Sequence, residues 1–160
     1  TDEVQAAVAA KADEQAEAAN RGAPVPEHAV QIGRLSIGAK LRLAAIGNAI
    51  VRAVLVRDTN RVIAMAAVKH PGVTEHEAER FAANRALHED VIRHIASQRH
   101  FTKRYSVKLN LVNNPKCPLQ LAIGFLGHLQ PRDLSSVSRS KSVPSALAKA
   151  AQHLIAKRQP

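Results

Sequence analysis

A single cysteine in 160 residues excludes an internal disulfide and any zinc site built from several thiolates. There is no tryptophan, and the aromatics are one tyrosine and three phenylalanines. All-β cores draw heavily on β-branched and aromatic side chains, so this shortage argues against one. Seven glycines and eight prolines are too few for a collagen-like or proline-rich disordered chain. No apolar run is long enough to span a membrane. The first residues are polar and lack a signal-peptide pattern. The chain does not begin with methionine, so a longer precursor that has lost such a segment is compatible with it. The expected location is cytoplasmic. Acids nearly vanish from the second half: beyond residue 90 only Asp133 remains.

What is present is aliphatic and basic. Apolar residues make up 46% of the chain, enough for a real core, and the net charge is +10. The charge is unevenly placed. Residues 1–32 are net −4, residues 33–90 net +3 and residues 91–160 net +11. Such asymmetry points to a partner of opposite charge. The opening stretch is rich in Ala, Glu and Gln, which are good helix formers, but its only large apolar residues are Val4 and Val8. A helix with so little to bury is marginal in water. Residues 1–31 therefore read as an acidic, Ala-rich arm, helical or disordered, ending in a linker that holds Pro24 and Pro26. Folded back, the arm would compete with an acidic partner for the basic half.

From residue 32 to 160 the pattern is that of a helical domain. Helices are expected near 36–46, 48–57, 60–69, 74–83, 88–97, 103–112, 118–128, 131–138 and 144–157. Thr74 and Glu77 have capping-box spacing. Pro118, Pro131 and Pro144 stand where a first-turn proline is tolerated, because its missing N–H would be unpaired there anyway. Several helix junctions resemble one another. Counting from Asn84, Asn114 and Ser140, an apolar or Cys residue follows at +3 (Leu87, Cys117, Val143) and an aliphatic one at +7 (Val91, Leu121, Leu147). Asp58 fits more loosely, with Met65 at +7. The intervals hold two short helices and two turns, the signature of helix pairs stacked in a row. A non-repeating bundle with similar stop signals is the alternative.

The stop signals VRDTN, VKHPGVT and LVNNPKCPLQLA resemble those of HEAT-like and leucine-rich-repeat-variant α-solenoids. Leu35 to Arg158 further resembles a group of small, basic helical-repeat proteins of bacteria that has no assigned activity. The resemblance implies an all-α fold, a short right-handed solenoid of stacked antiparallel helix pairs. It implies no functional residues, since its motifs encode helix stops.

Catalytic and metal motifs are scarce. His76-Glu77 opens like a zincin helix, but Arg80 stands where the second histidine is needed, and His88-Glu89 fails in the same way at Ile92. There is no phosphate-binding glycine loop and no serine-nucleophile motif. Cys117, beside Lys116 at an expected helix start, has the surroundings that favour a thiolate. Its place at +3 beside Leu87 and Val143 instead reads as a small packed residue. No catalytic, metal or cofactor residues are expected, and the chain is expected not to be an enzyme.

Binding remains. On the expected helix 103–112, Arg104 and Lys108 lie one turn apart between two apolar sides, as on the inner layer of a solenoid. With them, Arg93, Arg99, Lys103, Lys116, Arg139 and Lys141 form the expected basic face. Solvated charges without a partner are the bland alternative, although a solvated surface normally mixes signs. An acidic protein segment is the first expected partner, with the chain as adaptor or scaffold. Non-specific binding to duplex nucleic acid is the second. Binding to single strands would call for aromatic platforms that the sequence lacks.

Overall fold

In the computed structural model, residues 27–158 are described, and the expected arm lies outside them except for its last residues. The described residues form eleven α-helices and no strand, so the chain is all-α as expected. They divide into two compact units at Val73/Thr74, whereas the sequence reads as one helical domain from residue 32.

The first unit holds α1 (Glu27–Gly33), α2 (Ile37–Ile46), α3 (Ala49–Leu55) and α4 (Arg61–Val68). Helix α1 crosses the expected arm boundary at residue 31. Glu27 in its first turn suits the positive end of the helix dipole. The side chains of Ser36, Asn48 and Asn60 cap the next three helices by accepting backbone N–H bonds. Helix α2 packs on α3 and α4. Gly47 ends it by close approach. A Cβ there would meet the Leu43 carbonyl at 2.6 Å and the Val51 side chain at 2.5 Å. The core is small and aliphatic: Ala44, Leu55, Val56, Ile63, Ala64, Ala67 and Val68. Two polar ties complete it. The buried Arg52 donates to the carbonyls of Gly47 (3.0 Å) and Gly72 (3.1 Å), and Lys40 meets Asp58 at 2.7 Å.

The second unit holds α5 (Glu75–Ala83), α6 (Glu89–Ser97), α7 (Arg99–Thr102), α8 (Tyr105–Asn113), α9 (Leu119–Leu126), α10 (Pro131–Arg139) and α11 (Ser145–Arg158). The expected capping box is formed: Thr74 accepts from Glu77 N, and Glu77 accepts from Thr74 N. Helix α7 is a single turn, too short to leave a periodic pattern.

Helices α5, α8 and α10 lie side by side, each packing on the next, and α9 packs on α11. Hydrogen bonds give their direction. Arg104, just before α8, faces Glu75 and Glu79. Further along, Asn110 reaches Glu79 O, and Asn114 at the end of α8 reaches Ala82 O. The two helices are therefore parallel. Tyr105 at the start of α8 bonds Asp133 and accepts from Gln130 N at the start of α10. At the far end of α11, Arg158 donates to Gly127 O and Leu129 O, just past the end of α9. Leu87, Val91, Ile92, Ile95, Leu111, Leu126, Leu134 and Leu147 form the core of this unit.

Candidate functional site

The four positions aligned in the sequence share one local geometry. Each side-chain oxygen accepts the backbone N–H two residues on: Asp58 from Asn60 (2.8 Å), Asn84 from Ala86 (2.9 Å), Asn114 from Lys116 (3.0 Å) and Ser140 from Ser142 (3.2 Å). Short polar side chains do this because they can mimic a backbone turn. The +3 residues Leu87, Cys117 and Val143 are buried beneath their turns. At the loosely fitting fourth turn that position is the exposed Arg61.

In the second unit the turns 84–88, 114–118 and 140–144 lie together. The buried Asn114 donates to Ala82 O (2.8 Å) and Asn84 O (3.2 Å). Lys116 Nζ donates to Leu87 O at 2.6 Å. Arg85 extends one Nη to both Asn113 O (3.3 Å) and Ser142 Oγ (3.4 Å). Ser140 Oγ and Ser142 Oγ are 2.9 Å apart. These turns form one edge of the unit.

The opposite edge holds the starts of α5, α8 and α10. The Arg104 guanidinium lies 3.7 Å from Glu75 and 3.3 Å from Glu79. The Tyr105 hydroxyl is shared with Asp133 and Gln130 N. Desolvation raises its pKa above the ordinary 10.0; the bond to Asp133 and its charge add to this, and the Gln130 N–H offsets part of it.

The eight expected basic residues therefore do not converge on one face. Arg99, Lys103 and Arg104 lie on the edge of helix starts. Lys116 and Lys141 lie on the edge of turns, next to Arg139 at the end of α10. Arg93 sits on α6, paired with Glu89 at 2.6 Å and Asp90 at 3.9 Å. Arg139 donates to Ser135 O one turn back. The expected Arg104–Lys108 stripe is split. Helix α8 begins at Tyr105, so Arg104 precedes it and turns to Glu75 and Glu79, while Lys108 is half-buried inside the helix. Arg85 is the basic residue the sequence reading passed over. Its place one residue after Asn84, the counterpart of Lys141 after Ser140, was the available signal.

Cys117 is buried, with Sγ 3.8 Å from Pro118 O. Burial pushes its thiol up to about 11, away from the range of a reactive thiolate. This favours the packed reading over the nucleophilic one. No group of three His, Cys, Asp or Glu among the described residues is placed to hold a metal ion. None of the described helices is long and apolar enough to cross a membrane. No family model, curated protein or solved structure matches the chain.

Proposed function

We propose that the chain is a non-enzymatic binding module, an adaptor or scaffold whose basic second unit docks an acidic segment of another protein. One observation carries the reading. Every carboxylate of residues 74–158 already has a partner inside the unit: Glu77 in its cap, Glu75 and Glu79 on Arg104, Glu89 and Asp90 on Arg93, and Asp133 on Tyr105. Arg85, Arg99, Lys103, Lys108, Lys116, Arg132, Lys141, Lys149 and Lys157 have no carboxylate within ion-pair distance among the described residues. Cations left uncompensated in this way steer and register an acidic partner.

The row α5–α8–α10, the α9–α11 contact and the shared turn geometry support a short, right-handed HEAT-like stack. Stacked helix pairs present extended surfaces to polypeptides, and this analogy of fold places an acidic protein ahead of duplex nucleic acid. The aromatics do not favour single strands, since Phe81 and Phe101 are buried and the Tyr105 hydroxyl is engaged.

Fluorescence anisotropy tests this, with a labelled twelve-residue peptide of alternating Glu and Gly and a labelled random-sequence duplex DNA, each at two salt concentrations. The peptide should bind, weaken with salt and compete with the DNA. Tighter binding to DNA, with a steep salt slope, would replace the protein reading by the nucleic-acid one.

A further inference from the structure

Resting on that reading, we infer that the acidic segment docks along the edge of turns, on Arg85, Lys116 and Lys141, and not on the edge of helix starts. Both edges carry cations, but they differ in what surrounds them. At the helix starts, Glu75 and Glu79 neutralise Arg104, and Asp133 sits beside Tyr105. Glu75 is 49% exposed, so an incoming carboxylate meets a like charge there. At the turns, Arg85 and Lys116 bond only to carbonyls and a hydroxyl. Those bonds leave their charge intact.

The acids nearest this edge, Glu89 and Asp90, lie at the start of α6 and both pair with Arg93, with Glu89 60% exposed. Helices α9 and α11, which leave the other two turns, have no acid in their first turn. The bonds also hold the cations in place. Arg85 is fixed between the second and third turns, and Lys116 is fixed against the first. Side chains already held lose less freedom when a ligand arrives. Arg85, Lys141 and Ser142 are exposed, and the Ser142 hydroxyl meets Arg85. The guanidinium keeps further N–H groups for a carboxylate, and the fork geometry suits one. The edge thus offers a guanidinium, two ammonium groups and a hydroxyl to an acidic stretch of polypeptide.

The test uses the full chain and the Glu-Gly peptide. The triple variant Arg85→Gln, Lys116→Gln, Lys141→Gln should bind at least about tenfold more weakly, since it removes the three cations that meet the carboxylates. The triple variant Arg99→Gln, Lys103→Gln, Arg132→Gln removes the same charge from the other edge and should lose less than about threefold. Equal losses, or a larger loss in the second variant, would overturn the assignment while leaving the function standing. Failure of the unaltered chain to bind the peptide would overturn both. Because Arg85 and Lys116 also hold turns, Lys141→Glu is made alone. It has no hydrogen bond to lose, and it should weaken binding with an unchanged circular-dichroism melt. Unchanged affinity in Lys141→Glu would also overturn the assignment.

Discussion

The two units are built from the same short helices but held by different means. In the first, a small aliphatic core is joined by two polar ties, Arg52 and the Lys40–Asp58 pair. It leaves Ile37, Ile46 and Val62 largely exposed, with Ile46 at 81%. In the second, the core is larger and the turns are bound to one another through Arg85, Asn114 and Lys116. Turn side chains that bond the neighbouring turn satisfy backbone carbonyls which would otherwise need water. Burial then extends to the ends of the helices.

The largest effect expected is Leu111→Ala in the second unit. Deleting a fully buried leucine costs ~2–5 kcal/mol, with the cavity left behind setting the value. Urea unfolding measures it, and a loss below 1 kcal/mol would mean that the core collapses around the gap. Next is Asn114→Ala, expected to cost about 1–3 kcal/mol because it leaves Ala82 O without its buried donor. Hydrogen exchange should quicken in α5 and α8 more than in α2–α4. Equal quickening in both units would end the contrast between them. In the first unit, Arg52→Met should cost a similar ~1–3 kcal/mol by removing the donor to Gly47 and Gly72.

Alkali gives a smaller effect of known sign. Free thiols ionise near 9.0, whereas buried Cys117 holds its proton to about 11. Between these values the unfolded chain releases a proton that the folded chain keeps, so stability falls as pH rises. Tyr105, raised above 10.0, acts in the same direction. Denaturation at pH 8, 9.5 and 10.5 should show the decline, and Cys117→Ala should flatten its first part. The smallest effect is that of Cys117→Ala at pH 7, about 1 kcal/mol or less for a small packed residue.

The sequence was informative where chemistry is local. Helix ends follow capping residues, and the nine expected helices correspond to α2–α6 and α8–α11. The equivalence of Asp58, Asn84, Asn114 and Ser140 needed only a polar residue and a fixed offset. Long-range pairing was not legible. Nothing in the spacing says that Arg104 turns to acids about 25 residues earlier, or that Arg85 reaches Ser142. The split of the basic residues between two edges follows from those pairings, so the single face expected from helical periodicity does not form. Helix α1 is not legible in the sequence, because Pro24 and Pro26 read as a linker that runs on to its first residues.

The turn-to-turn bonds are unevenly shared among the aligned turn residues, and this ranks the positions by how freely they can vary. Asn114 serves its own turn and the preceding one, through Lys116 N on one side and Ala82 O and Asn84 O on the other. The side chains of Asn84 and Ser140 bond only within their own turns. A library of substitutions should therefore accept Asp, Ser or Thr at Asn84, just as the chain itself uses serine at 140. At Asn114 it should retain the amide, because Asn114 donates twice and accepts once, whereas Asp has no N–H and a Ser or Thr hydroxyl has a single proton to donate.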